Sequence, residues 1–140
     1  MQEFTFHFLE IESEPIDHGK LKKWIHEVIR IEGSQSGYLM FIFCDDDYLF
    51  QMNKKFLSHE TYTDIITFNY TDEFEGVSGD MYISVDRVRD NAKKFEVDFL
   101  HELSRVMVHG VLHLLGYTDE SPDDTALMRA KEDYYLSLLS

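Results

Sequence analysis

Cysteine is nearly absent from this 140-residue sequence, and so are long apolar runs. Cys44 is its single cysteine, which excludes an internal disulfide and predicts a buried, unreactive thiol in a reducing cytosol. The longest apolar run covers residues 38–44 and is far too short to cross a bilayer. The N-terminus shows no charged and then apolar leader. These absences predict a soluble, unexported, cytoplasmic protein with no membrane partner.

Positive charge is also scarce, with 13 lysines and arginines against 27 aspartates and glutamates, and a formal net charge of -14. A chain this acidic repels polyanions at long range, which disfavours a nucleic-acid partner unless a local basic patch overrides the total. The basic residues do form groups. They are Lys20, Lys22 and Lys23, then Lys54 and Lys55, and then Arg87, Arg89, Lys93 and Lys94. Taken singly, each group is more typical of an ordinary solvated surface.

The length and composition favour one folded domain. With 44% hydrophobic and 14% aromatic residues, the chain has enough apolar side chains for a core, and it contains no internal repeat or linker. Apolar periodicity predicts strands at residues 3–11, 38–44, 64–70 and 80–85, and helices at 17–32, 47–57, 86–95 and after the caps at Asp98 and Ser121. We therefore expect an α+β fold: a single domain over residues 1–140, with a mixed sheet of about four strands and packed helices.

Some helix caps and buried faces can be predicted in more detail. The three successive acids at residues 45–47 suggest a cation site. Acids that precede a segment with helical apolar periodicity more often cap a helix, so we interpret them as a helix cap. Ser84 or Asp86 is expected to cap the third helix. The buried face of the fourth helix is expected at Leu100, Leu103, Met107, Val111 and Leu114. The buried face of the fifth helix is expected at Leu127, Ala130, Tyr134 and Leu138.

Metal-ligand residues fall at a meaningful spacing in R-V-M-V-H-G-V-L-H-L-L-G-Y-T-D, residues 105–119. On a helix, His109 and His113 lie one turn apart, roughly 6 Å, with both imidazoles on one face. Gly116 can end that helix in a left-handed conformation, after which the chain can turn Asp119 back toward the histidines. Three ligands leave a fourth position open for an acidified water, as in a catalytic zinc site. The pattern predicts a catalytic metal site on a central helix.

Other interpretations of this stretch compete with a catalytic metal. A bare pair of histidines four residues apart more often forms a half-buried helix face, and Asp119 on its own could simply precede the last helix; the combined pattern favours the metal. The same spacing occurs in metzincin proteases, H-E-x-x-H-x-x-G-x-x-H, whose glutamate is the general base. Here that position is Gly110, which disfavours peptide hydrolysis and leaves phosphodiester hydrolysis open.

Two further segments stand out beside the metal-ligand segment, namely T-D-I-I-T-F at residues 63–68 and G-D-M-Y-I-S at residues 79–84. Together, the three segments resemble the YbeY family of metal-dependent endoribonucleases, which is implicated in ribosomal RNA maturation. The family segment H-G-x-L-H-L-L-G-Y-D-H corresponds to H-G-V-L-H-L-L-G-Y-T-D at residues 109–119. Its T-D-V-L-S-F corresponds to T-D-I-I-T-F at 63–68, and its G-D-I-x-I-S to G-D-M-Y-I-S at 79–84. The resemblance covers most of the chain, and the metal segment is its most specific part.

The resemblance implies metal ligation by His109, His113 and Asp119, with Asp119 at the position where the family usually has a third histidine. It also includes a departure, since Leu57 stands where many members carry an arginine that contacts the RNA backbone. Leucine cannot bind a phosphate, so the resemblance implies either a weak nuclease or another basic residue in that role. The candidates for this catalytic or RNA-binding role are Arg105, Lys54, Lys55 and His59.

By this resemblance, the chain is expected to be a metal-dependent hydrolase, a single-strand-specific endoribonuclease of ribosomal RNA processing and ribosome maturation. A zinc-bound water would attack the phosphodiester, with one zinc per chain and another divalent metal as the alternative. The expected partners are single-stranded RNA, in particular a ribosomal RNA precursor, and ribosomal proteins. The rival functions are a non-catalytic ribosome-associated assembly factor with a structural metal and a metzincin-like metallopeptidase.

Overall fold

The computed structural model describes residues 3–9, 16–58 and 63–139, and within these ranges four strands form one sheet packed against five α-helices. The strands are β1 (Glu3–Phe8), β2 (Ser36–Cys44), β3 (Ile65–Asn69) and β4 (Val77–Ser84). The helices are α1 (His18–Ile31), α2 (Asp46–Leu57), α3 (Val85–Lys94), α4 (Phe99–Leu114) and α5 (Pro122–Ser137). None of the helices in these ranges is long and apolar enough to span a membrane. The predicted α+β fold with a mixed four-stranded sheet is confirmed.

The sheet has the strand order β1-β2-β4-β3. β1 and β4 flank β2 and run parallel to it, whereas β3 runs antiparallel to β4, as the short glycine-bearing link between them predicted. β2 lies between two strands and is covered on both faces, which explains its continuous apolar sequence. β4 begins at Val77 rather than at the predicted residue 80. The pairing extends this far because the carbonyl of Ser78 accepts a hydrogen bond from the N–H of Tyr70, just after β3, at 2.9 Å.

The helices cover the two faces of the sheet unequally. The main core joins α1, α3, α4 and α5 to one face through Trp24, Val88, Met107, Tyr135 and Phe41, among others. α2 packs on the opposite face, where Leu49 and Met52 contact Cys44 and Ile66. Burial raises the pKa of the Cys44 thiol to about 12, as expected for an unreactive cysteine. α4 lies at the centre of the larger layer, in contact with α1, α3, α5, β3 and β4.

Most of the predicted helix caps are present. Asp45, Ser84 and Ser121 each accept a hydrogen bond from a backbone N–H in the first turn of α2, α3 and α5, at 2.8 to 3.1 Å. The acids at residues 45–47 therefore belong to a helix start. Asp98 occupies the cap position of α4, but within the described residues its side chain makes no capping hydrogen bond, so this part of the prediction is wrong.

The predicted buried face of α4 is correct except at its start. Leu103, Met107, Val111 and Leu114 are buried, whereas Leu100 is 47% exposed. Leu100 lies in the first turn of α4, where it lines an open groove beside the start of α1 and the end of the chain instead of the core.

The predicted buried face of α5 is wrong. Leu127, Ala130, Tyr134 and Leu138 are exposed, and the helix buries Met128, Glu132 and Tyr135 instead. The centre of the buried face is a carboxylate that is bonded to side chains of α4. Apolar periodicity cannot detect such a face, because it assumes that buried positions are apolar.

Candidate metal centre

His109 and His113 lie one turn apart at the C-terminal end of α4, and their rings approach each other. The two Nε2 atoms are 3.0 Å apart, and both side chains are about one quarter exposed. α4 passes close to the sheet at Gly110, where a Cβ atom would lie 2.7 Å from Cδ1 of Ile65. Gly110 thus allows the end of α4 to pack on β3 and β4, and a glutamate at residue 110, as in a metzincin, would have to displace the side chains of Ile65 and Met81.

A tight turn after α4 returns the chain to the two histidines. Gly116 adopts a left-handed conformation with φ of 106°. The N–H groups of Gly116 and of the next residue donate to carbonyls in the last turn of α4, both at 3.0 Å, which is the Schellman motif with glycine at its usual position. Asp119 then approaches both rings, with Oδ2 lying 3.7 Å from Nε2 of His109 and 3.8 Å from Nε2 of His113. The structure therefore brings the three predicted ligands together.

The separations of these three atoms fit one metal ion. A tetrahedral ion with bonds of about 2.0 to 2.2 Å places its ligand atoms about 3.3 to 3.6 Å apart. The observed separations of 3.0, 3.7 and 3.8 Å bracket that range. Two imidazole nitrogens and one carboxylate oxygen are ligands that zinc and other divalent transition metals accept. Because Asp119 is 49% exposed, solvent or a substrate can reach this position from its side.

A buried carboxylate that the sequence did not predict stands behind His109, the first of the predicted ligands. Nδ1 of His109 donates to Oε2 of Glu132 at 2.7 Å, and Glu132 is almost fully buried in α5. The other oxygen of Glu132 accepts from Nη1 of Arg105 at 3.0 Å. With its proton on Nδ1, His109 presents the lone pair of Nε2 to the metal position, as metal-bound histidines commonly do. Met128, Glu132 and Tyr135 are spaced as one face of a helix, and this spacing was the signal in the sequence. Recognising that face as buried would have meant accepting a charged residue in it.

The surrounding charges shift the pKa values of the two histidines in opposite directions. Burial by itself would lower the pKa of His109, but the hydrogen bond and charge of Glu132, together with two further carboxylates, raise it above its ordinary value. The pKa of His113 is lowered by burial and by the neighbouring His109. Burial by itself would raise the pKa of Glu132, but its hydrogen bond to His109 holds that pKa below its ordinary value. Glu132 is therefore ionised at neutral pH, and it makes His109 a stronger electron donor.

A cleft of about 320 Å³ opens beside the three predicted ligands, with walls from α3, α4 and α5. His109 and Asp119 both line it. The other lining residues are Asp64, Asn91, Phe95, Glu102, Arg105, Val106, Thr125, Met128, Arg129 and Glu132. The cleft gives a ligand access to the metal position and brings it beside residues of three helices.

Arg105, one of the sequence-predicted basic candidates, lines this cleft, but its guanidinium is already engaged. It lies 3.0 Å from Glu132, 3.3 Å from Asp133 and 3.6 Å from Glu102. Arg105 therefore holds Glu132 and, through it, the ring of His109.

Of the other basic candidates, the structure describes Lys54 and Lys55, and these two lie apart from the cleft. Lys54 and Lys55 are in the last turn of α2, which packs on the opposite face of the sheet. Among the described residues, neither lysine lines the cleft. Leu57 is the exposed last residue of α2, and His59 lies outside the described residues.

A second group of polar contacts holds the turn that carries Asp119. The hydroxyl of Tyr117 donates to Oε1 of Glu32 at 2.6 Å. The other oxygen of Glu32 accepts from the hydroxyl of Tyr135 and, at 3.1 Å, from Nζ of Lys131. Burial would raise the pKa of Glu32, but these hydrogen bonds hold it below its ordinary value. Since Glu32 is the C-cap residue of α1, the contacts join the end of α1, the turn and α5.

Comparisons with known proteins identify the family. The sequence profile described as endoribonuclease YbeY matches residues 8–140. The chain is 47% identical over 129 residues to an endoribonuclease YbeY of Flavobacterium psychrophilum, covering 92% of this chain and 91% of that protein. It is 50% identical over 113 residues to an endoribonuclease YbeY of Amoebophilus asiaticus, covering 81% and 77%. A Thermotoga maritima protein solved in solution has the same fold, with a TM-score of 0.69 and 24% identity, covering 96% of this chain and 89% of that one. The chain belongs to the endoribonuclease YbeY family, as its three sequence motifs predicted.

Proposed function

We propose that this chain is a metal-dependent endoribonuclease that cleaves single-stranded RNA, in particular ribosomal RNA precursors, and acts in ribosome maturation. The observation that carries the proposal is the convergence of His109, His113 and Asp119 at the edge of a cleft. The relatives of the chain are named endoribonucleases. The proposed ion is zinc, one per chain, because two imidazoles and a carboxylate with one open position are typical of catalytic zinc. Residues 1–140 would form the single domain of this enzyme.

The residues of the site have separate roles in this proposal. His109, His113 and Asp119 hold the ion, and Glu132 orients His109 through the hydrogen bond to Nδ1. Arg105 keeps Glu132 in place. When bound, the ion supplies Lewis-acid chemistry, since it polarises a phosphodiester oxygen and lowers the pKa of a water molecule. The half-exposed Asp119 lies on the side from which RNA would arrive.

Cleavage of a single-stranded RNA by the purified protein tests the proposal. We expect internal cuts in the single strand, slower cleavage of a duplex of the same sequence, loss of activity on chelation and its return when zinc is restored. Cleavage that is unaffected by complete removal of the metal would exclude a catalytic metal. A metal-loaded protein that binds RNA without cutting it would exclude the nuclease.

A second candidate function is a ribosome-associated assembly factor in which the metal is structural. Leu57 favours it, because the resemblance to the family implies an RNA-contacting arginine at this position. Such a factor would bind RNA or ribosomal proteins but leave RNA intact in the assay above. A metzincin-like peptidase is disfavoured, because residue 110 is a glycine packed against the sheet.

Replacing Asp119 by histidine is expected to move the pH profile of RNA cleavage to lower pH. A neutral imidazole in place of the carboxylate changes the net charge of the zinc centre from about +1 to about +2, and a more positive centre acidifies water more strongly. The variant should also prefer zinc over manganese more strongly than the wild type does, because carboxylates suit harder ions. Cleavage rates across the pH range and metal affinities measure both effects. An unchanged profile together with an unchanged affinity would refute the assignment of Asp119 as a ligand.

Replacing Lys54 and Lys55 together by glutamine is expected to weaken RNA binding, because an acidic protein needs a local basic surface to hold RNA. In the sequence, α2 ends at Leu57, seven residues before Asp64, which lines the cleft. If each lysine neutralises one phosphate, the slope of log affinity against log salt should fall by about 1.4. Replacing Lys20 and Lys23 of α1 in the same way provides the matched control. If the variant keeps the wild-type affinity and slope, RNA is held elsewhere.

A further inference from the structure

The wall that α3 contributes to the cleft has no part in the proposed metal chemistry. Asn91 and Phe95 lie four residues apart at the end of α3, and both line the cleft that His109 and Asp119 also line. Phe95 is 51% exposed and belongs to neither buried core cluster. A single exposed phenylalanine is ordinary on a protein surface. This one differs because it shares a cleft with a candidate metal centre.

The backbone holds Phe95 in a defined position at the end of α3. Its N–H donates to the carbonyl of Asn91 at 2.9 Å, and the N–H of Val97 donates to the carbonyl of Ala92 at 3.0 Å. Glu96, between them, adopts a left-handed conformation with φ of 56°, which residues other than glycine rarely adopt. The ring is therefore carried by a hydrogen-bonded helix end, as a preorganised binding group needs to be.

α3 is positively charged in a protein that is strongly acidic. It has four basic residues against two acidic ones. The basic residues are Arg87, Arg89, Lys93 and Lys94. Arg87 is paired with Asp46 at 2.8 Å, and the guanidinium of Arg89 lies over the ring of Phe99. The two lysines are in the last turn of the helix, outside the lining of the cleft. Nζ of Lys94 lies over the ring of Phe95, 5.7 Å from its centre.

An exposed aromatic ring on the wall of a cleft, with Asn91 on the same wall and two lysines in the same helix turn, suits an unpaired nucleotide. Proteins hold the bases of single-stranded RNA by stacking them on aromatic side chains, and this contact tolerates any base because every base has a flat face. Lysines neutralise the neighbouring phosphates. The cleft volume of about 320 Å³ is at the small end of the range for ligand pockets, which suits one nucleotide better than a duplex. In a duplex, neighbouring bases cover both faces of each base, so a stacking surface selects single strands.

We propose that Phe95 stacks on an unpaired nucleobase beside the phosphodiester at the metal centre, with Asn91 at the edge of that base and Lys93 and Lys94 along the backbone. This proposal rests on the endoribonuclease function proposed above. It adds that Phe95 is the residue that gives the enzyme its preference for single-stranded over duplex RNA.

The test compares Phe95→Leu with Phe95→Trp in the full-length, metal-loaded protein. Leucine keeps an apolar side chain but loses the aromatic face, whereas tryptophan keeps such a face. Phe74→Leu is the matched control, because Phe74 is also about half exposed and lies outside the cleft. The probe is a single-stranded RNA that contains 2-aminopurine, whose fluorescence is quenched when it stacks. Affinity and quenching are measured immediately after mixing, before cleavage, and kcat and KM are then measured with the same RNA.

We expect Phe95→Leu to weaken RNA binding about 5- to 100-fold and to abolish the quenching. Phe95→Trp should retain both, Phe74→Leu should match the wild type, and all variants should contain one ion per chain. If Phe95→Leu binds and quenches as the wild type does while the wild type cleaves RNA, stacking is refuted and the nuclease function stands. A loss in Phe95→Leu that Phe95→Trp shares would also refute stacking, since it would indicate a structural role. A wild-type protein that neither binds nor cleaves RNA would overturn the proposed function itself.

Discussion

Replacing His109 and His113 together by alanine is expected to abolish stoichiometric metal binding and, with it, the cleavage of RNA. The two imidazoles supply two of the three atoms that converge on the metal position. The remaining ligand, Asp119, is a half-exposed carboxylate, which by itself holds a divalent ion weakly. Elemental analysis of the purified variant should therefore find far less than one ion per chain. Added zinc should raise the melting temperature of the wild type by mass action and leave that of the variant unchanged.

His101→Ala is the matched control for this experiment. His101 lies in the same helix and is exposed, and it is not a member of the ligand group. The control should keep one ion per chain and cleave RNA at the wild-type rate. A double variant of His109 and His113 that retains one zinc per chain would show that the site assignment is wrong.

Replacing Glu132 by glutamine is expected to weaken metal binding by about 10- to 100-fold without removing a ligand. The carboxylate accepts the Nδ1–H of His109 at 2.7 Å, and its charge raises the pKa of that histidine. A group that increases the affinity of Nε2 for a proton also increases its affinity for a metal cation. Glutamine can accept the same hydrogen bond, but it is neutral, so His109 becomes a weaker ligand. Competition with a chelating dye measures the affinity, and cleavage should recover at high metal concentration.

The variant Asp133→Asn tests whether the loss of metal affinity in Glu132→Gln comes only from a lost contact with Arg105. Asp133 is the next residue of α5 and lies 3.3 Å from the same Arg105, but its side chain is largely exposed, and its ion pair is with Arg105 rather than with His109. This variant should keep the metal affinity of the wild type. If Glu132→Gln binds metal as tightly as Asp133→Asn and the wild type do, the carboxylate of Glu132 does not strengthen His109 as a metal ligand.

The convergence of His109, His113 and Asp119 could be predicted from the sequence because their spacing is local. Two histidines four residues apart share a helix face whatever the rest of the fold is. Gly116 ends the helix, and the three residues that follow are too few to carry Asp119 far away. The family and the hydrolase class that were predicted with these residues are confirmed by the profile match and by the relatives.

Glu132 could not be predicted in the same way, because its partner His109 lies 23 residues away on another helix. A buried carboxylate is costly unless it is paired, and the groups that pair with Glu132, namely His109 and Arg105, come together only in the tertiary structure. The same contact explains why the apolar face of α5 was predicted wrongly. It also gives a carboxylate partner to Arg105, which the sequence presented as a candidate for RNA binding.

The most direct test of a catalytic metal at His109, His113 and Asp119 is the stepwise return of zinc to the metal-free protein. Metal is removed with a chelator, the chelator is removed, and cleavage of a single-stranded RNA is measured after each addition of zinc. We predict that the rate rises in proportion to the zinc added and levels off at one ion per chain, while the double alanine variant of His109 and His113 stays inactive throughout. Full-rate cleavage by the metal-free protein, or a double variant that responds to zinc as the wild type does, would contradict a catalytic metal at this site.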